Sequence, residues 1–179
     1  AAYRASVPIF CPAIADSSIG MGVSQARQTL AGTGQIDVIG DIIESTNLVI
    51  RRPRTASIVL GGGTPKNFIN QACVQAEFYS DRVTGHRYAL QIVTDVPHYG
   101  GASGSSLDEA KSWGKLASDA DQVTVHVDAT IALPLLASAL VRGAADRAVR
   151  RTRPQFEFHG REIRLDGVRF SSDVFEGRP

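Results

Sequence analysis

The sequence predicts an α/β protein built on a doubly wound, mostly parallel, Rossmann-like sheet with helices on both faces, plus a C-terminal β-hairpin. Three observations carry this. Short β-branched runs alternate with helix-length runs, as βαβ crossovers require. The strand-like runs stop at glycine, proline or aspartate. The tail abandons that alternation for a period of two. In order, residues 7–11 read as a first buried strand closed by Pro12, and 18–30 and 36–50 as helices. Residues 57–60 form a second strand ended by three glycines, and 65–82 a helix with Thr64 as N-cap and Pro65 at its first position. Strands at 88–93 and 123–127 are followed by Asp95 and Asp128, at the carboxyl ends where α/β sheets hold ligands. Helices at 106–116 and 132–149 complete a unit spanning 1–153. In 154–179, the alternation of 156–165 around His159-Gly160 predicts the hairpin.

With 19 Lys+Arg against 18 Asp+Glu, the net charge of +1 gives no electrostatic case for nucleic acid or an anionic membrane as partner. The basic clusters at Arg51, Arg52 and Arg54 and at 147–153 read as solvated faces. Cys11 and Cys73 lie in apolar surroundings and read as reduced core thiols. No uninterrupted apolar run approaches the roughly 20 residues of a bilayer span, and no secretory pattern opens the chain, so a cytoplasmic protein is expected. No His/Cys cluster at ligand spacing suggests a metal.

Three segments offer chemistry. Residues 60–67, Leu-Gly-Gly-Gly-Thr-Pro-Lys-Asn, join a strand end to a helix start. Their N–H groups suit a phosphate or a close-packed cofactor, although a tight turn needs the same residues. The loop 94–106 holds three glycines and three serines. Asp95 there suits ribose hydroxyls, whereas a plainer reading makes Ser105 or Ser106 an N-cap and His98 a satisfied loop histidine. In the helix 106–116, Glu109 and Trp113 stand at i and i+4, and Gly114-Lys115 falls where it should end. A lysine desolvated beside an indole is a nucleophile toward carbonyls and imines; at a helix end it equally complements the dipole.

Taken together and in order, the motifs resemble the C-terminal half of deoxyhypusine synthases, especially their archaeal and bacterial branch. They are Pro8-Ile9-Phe10-Cys11-Pro12-Ala13 with Asp16-Ser17-Ser18-Ile19-Gly20, the stretch 61–69, Gly85-His86-Arg87-Tyr88-Ala89, Ser103-Gly104, Ser112-Trp113-Gly114-Lys115 and Asp128-Ala129-Thr130-Ile131-Ala132-Leu133-Pro134. The resemblance covers roughly 7–140. It implies that Lys115 forms the covalent intermediate. Glu109 and Trp113, with Asn67, Gly100, Gly101 and Ser103, then line the polyamine pocket, and Asp16, Gly62, Thr94, Asp95, Ser103, Asp128 and Ala129 lie near NAD. The implied reaction oxidises spermidine with NAD, releases 1,3-diaminopropane as Lys115 captures the aminobutyl unit, passes that unit to an acceptor amine and returns the hydride.

Asn67 stands where eukaryotic members carry histidine, and Met21, Tyr99 and Ala102 stand where they carry acidic groups. Family members also have a preceding half that nothing here matches. The expectation is therefore a two-chain enzyme, completed by a chain carrying that half in a tetramer-like assembly with sites at dimer interfaces. The acceptor is a protein lysine or, as in homospermidine synthases, a small amine such as putrescine. A non-catalytic regulatory subunit is disfavoured by the retained Lys115, Trp113 and Glu109, and an unrelated NAD-dependent dehydrogenase by the absence of GxGxxG.

Overall fold

The computed structural model describes residues 2–30, 35–52, 54–159 and 162–171. A single helical turn, α1 (Ala2–Ala5), precedes residues 7–11, which pair with no strand. That corrects the first predicted strand. The run is apolar, but Pro8 and Pro12 lack N–H donors, and Ile9 is 67% exposed. Phe10 instead rests on Phe68, ring centroids 5.6 Å apart. Helix α2 (Ser18–Thr29) is capped by Ser17, whose hydroxyl accepts from Gly20 N–H. Helix α3 (Val38–Arg51) is capped by Asp37, which accepts from Gly40 N–H.

Strands β1 (Ala56–Leu60), β2 (His86–Val93) and β3 (Leu116–His126) form a parallel sheet in that order, with α4 (Thr64–Glu77) and α5 (Leu107–Ser112) as the crossovers. The α/β class and the parallel sheet flanked by helices are as the sequence predicts; three boundaries are not. Gly63, rather than Thr64, caps α4, without a side-chain bond. Helix α5 stops at Ser112, short of the predicted 116, with Trp113 as its C-cap and Gly114 left-handed at φ +69°, so the glycine ends the helix as expected but a turn earlier. Strand β3 then starts at Leu116, earlier than its β-branched stretch. Leu116, Ala117 and Ala120 are buried with Ala89 of β2 and with Leu107 and Ala110 of α5, and the register slips between His86 and Tyr88 to accommodate them.

The β1 alternation puts Ser57 and Val59 on the same face as Ala89 and Gln91 of β2, and Ala89 packs on α5. Helix α3 lies on α4 through Val49, Ala72, Cys73 and Ala76. The other sheet face carries Ile58, Leu60, Tyr88, Val123 and Val125, all exposed, Ile58 by 61%. Helix α6 (Ala129–Arg150) buries none of its residues. By length and composition it could cross a bilayer, which corrects the expectation that no stretch qualifies. Counting uninterrupted apolar residues misses a helix whose charges, Arg142, Asp146, Arg147 and Arg150, collect toward one end. An interior helix of a larger fold meets the same measure.

The tail is a three-stranded antiparallel meander, β4 (Phe156–His159), β5 (Glu162–Leu165) and β6 (Val168–Ser171). The predicted His159-Gly160 turn falls partly outside the described residues. The second hairpin turns on Asp166 and Gly167, at φ +51° and +77°, the pair a two-residue turn demands. Ile163 and Leu165 pack on Leu48 of α3, and Arg52 pairs with Asp166, so the tail rests on the α/β unit.

Candidate active site

The three parallel strands deliver their carboxyl ends to one edge, where Gly61–Gly63, Thr94–Asp95 and Asp128–Ala129 follow in turn. Two glycine-rich loops meet there. Gly61 and Gly63 have φ of +82° and +81°, and a β-carbon on Gly62 would stand 2.7 Å from the Ala102 Cα. Only glycine fits these positions. Gly101 is pressed as closely against the Asp95 side chain. Gly63 N–H donates to Ser103 Oγ at 2.7 Å, tying the loops across 40 residues. Asp95 accepts from Val96 N–H at 2.8 Å. Asp128 caps α6 and accepts from Thr130 N–H and Oγ1 at 2.8 and 2.6 Å; those bonds hold its carboxyl below the ordinary value.

The lysine belongs to the other end of β2. The Lys115 carbonyl accepts from His86 N–H at 3.0 Å, at the start of the strand whose far end is Val93. At 3.3 Å per residue those strand ends are roughly 20 Å apart. The charges of Lys115 and Glu109 both act on Lys66. Lys66, in the first turn of α4, is 3% exposed and donates to the carbonyls of Ala102 and Ser105 at 2.8 and 2.6 Å. Burial first, and then the Lys115 charge, push its pKa down, while Glu109 opposes them. Glu109 sits in the first turn of α5, its N–H bonded to the Ser106 cap. The plainer reading of Ser106 therefore holds.

The remaining predicted residues are spread more widely. Trp113 follows α5 and is 64% exposed, so the described residues do not enclose its indole. Asn67, one residue beyond Lys66, lines a cleft between α3 and α4 with Pro12, Ser45 and Gln71. Asp16 ends a short turn of helix, Ile14–Asp16, that packs on the start of α2. Gly100, at φ +83°, and Gly101 shape the loop that presents Ser103. Among the described residues no three His, Cys, Asp or Glu side chains gather as a metal site.

Lys66 is the residue that motif reading passed over. Its partners lie 36 and 39 residues away, and a lysine in a first helical turn ordinarily reaches solvent. The signal in the sequence was its place between two glycine-rich segments. The strand-end cradle fits a dinucleotide: glycines permit close approach, the first N–H groups of α4 lack a side-chain cap, and Asp95 borders them.

A model of the deoxyhypusine synthase family matches residues 1–140. The chain is 49% identical over 161 residues to a probable deoxyhypusine synthase 2 of Methanosarcina mazei, a match covering 90% of this chain and 46% of that protein. It is 50% identical over 141 residues to the protein of the same name in Archaeoglobus fulgidus, covering 79% and 46%. A deoxyhypusine synthase-like protein of Coxiella burnetii is 42% identical over 142 residues, covering 76% and 39%. With the family model matched along most of its length, this chain belongs to the deoxyhypusine synthase family, and it spans about half the length of the curated relatives it matches.

Proposed function

We propose that the chain supplies the covalent lysine and part of the NAD site of an enzyme that moves a 4-aminobutyl group from spermidine to an acceptor amine. One observation carries this beyond family membership. The chain has three lysines, Lys66, Lys111 and Lys115. Lys66 is tied to two carbonyls and Lys111 to the Ala120 carbonyl at 3.0 Å, whereas among the described residues the Lys115 amine makes no hydrogen bond. It is the lysine left available to react.

NAD, when bound, supplies a hydride acceptor for the carbon beside the secondary amine of spermidine and returns the hydride at the end. Gly61–Gly63 and the start of α4 would hold its diphosphate and Asp95 its ribose. Lys115 Nζ attacks the oxidised carbon, a bond forms to the four-carbon unit, and 1,3-diaminopropane leaves with the displaced nitrogen. The acceptor amine then attacks the same carbon and frees Lys115. Glu109 offers a carboxylate to a cationic amine beside Lys115, and Trp113 an apolar wall.

The exposed face formed by Ile58, Leu60, Tyr88, Val123 and Val125, together with the bare α6, supports the reading that the other half of the family fold completes the enzyme. The test is spermidine-dependent release of 1,3-diaminopropane by this chain combined with that half. Release that requires NAD and is lost in Lys115→Ala is expected. Normal turnover by Lys115→Ala would contradict the mechanism. Supplying a lysine-bearing protein acceptor or putrescine in parallel assigns the acceptor.

A further inference from the structure

The buried Lys66 has a task that the transfer reaction does not explain. Its ammonium bonds the carbonyl of Ala102, the first of two consecutive non-glycine residues in the left-handed region, Ala102 at φ +55° and Ser103 at φ +62°, and the carbonyl of Ser105 just beyond them. L-residues adopt that conformation at a cost, and it persists only where its surroundings over-determine it. Here the lysine satisfies one carbonyl within the turn and one just after it, Gly62 leaves room for Ala102, and the Gly63 N–H is met by the Ser103 hydroxyl. If the turn relaxed toward ordinary backbone angles, Ser103 would leave Gly63 and Gly101 would move off Asp95. The rim of the strand-end cradle would then lose its shape.

We propose that Lys66 is a positioning residue of this cradle: its ammonium holds the left-handed turn 101–105 against the glycine-rich end of β1, and so keeps the rim in the form that binds the dinucleotide. Its consequence for binding rests on the NAD reading; the clamp itself does not. Burial and the neighbouring Lys115 charge both work against the ammonium, so the two carbonyls offset an energetic cost that a solvated lysine would not meet. A residue retained only for charge would sit in solvent.

Three variants of the full chain, with NAD binding measured in combination with the complementary half, separate this role from simple packing: Lys66→Met, Lys66→Arg, and Lys66→Met combined with Ala102→Gly. In Lys66→Met, amide hydrogen exchange at Gly63 and 101–105 is expected to speed up at least tenfold while Ala89–Ile92 of β2 stays unchanged, and NAD is expected to bind at least tenfold more weakly. Lys66→Arg, which keeps the charge and donors, should recover much of both. The Ala102→Gly combination, which keeps the Ser103 hydroxyl on Gly63, should recover part of the NAD affinity, because glycine at 102 removes a penalty that the lysine offsets. Unchanged exchange in the turn, exchange that rises throughout the sheet, or NAD affinity unmoved by Lys66→Met would each overturn the proposal. A wild-type chain that binds no NAD even in combination with the complementary half, with the local exchange change present, would overturn the nucleotide reading and still support the clamp.

Discussion

Glu44 shows how one side chain can set the pH response of this chain. It lies on α3 one turn beyond Asp41 and two beyond Asp37. Burial, then Asp41, then Asp37 push its pKa up to about 7 from an ordinary 4.5. Between those values the folded chain binds a proton that the unfolded chain has released, so this group makes stability fall as pH rises from about 4.5 to 7. Glu44→Gln should therefore raise the melting temperature relative to wild type at pH 8 and leave it unchanged at pH 4; equal melting curves at pH 8 would contradict the assignment. His86 acts in the opposite sense. Burial lowers its pKa, and its contribution is lost as pH falls below about 6.5, so variant and wild type must be compared at each pH. At this scale the sequence was legible where partners are local. Ser106 and Asp128 cap helices through residues two or three positions away. Lys66 was not, because its acceptors become neighbours only when two crossovers are in place.

The junction between α5 and β3 is where helix and strand compete for the same residues. Periodicity extends the helix to 116 and delays the strand to 123, but burial of Leu116, Ala117 and Ala120 recruits them to the sheet. Gly85 makes this possible. At φ +95°, a β-carbon there would lie 2.4 Å from the Leu116 carbonyl carbon, so the start of β2 can approach the Lys115–Leu116 backbone only without a side chain. Gly85→Ala should cost on the order of 3 kcal/mol through strain and overpacking. That is roughly 6–12 °C in melting temperature for a chain of this size. A shift under 2 °C would mean that the junction is looser than described. The same logic explains the missed third strand of the tail: β6 is set by the Asp166-Gly167 turn, a short signal beyond the alternation that marked the first hairpin. Where elements follow from local pattern, as in β1, α4 and β2, prediction and structure agree to within a few residues.

The molecule as a whole presents more apolar surface than a finished fold carries. Burying one large aliphatic or aromatic side chain stabilises a protein by about 1.5–3 kcal/mol. Ile58, Leu60, Tyr88, Val123 and Val125 on the sheet, with Ile131, Leu133, Leu135, Leu140 and Val141 on α6, are all exposed. Ten such groups forgo an amount comparable to the whole 5–15 kcal/mol stability of a typical domain. This deficit, and relatives roughly twice as long, favour an account in which the remaining half of the family fold covers these faces and encloses Trp113. The sequence conveyed the family and the order of its motifs. It did not convey that the Lys115 backbone joins the end of β2 away from the strand-end cradle, because spacing along the chain carries no information about which end of a sheet a turn reaches.

The central claim is that Lys115 carries the aminobutyl group. It is tested most directly by combining this chain with the complementary half, spermidine and NAD, quenching with borohydride during turnover, and mapping the modified peptide. The account predicts a four-carbon amine adduct on Lys115 alone among the three lysines, absent when NAD is omitted. An adduct on Lys66 or Lys111, or release of 1,3-diaminopropane with no adduct on this chain, would contradict it.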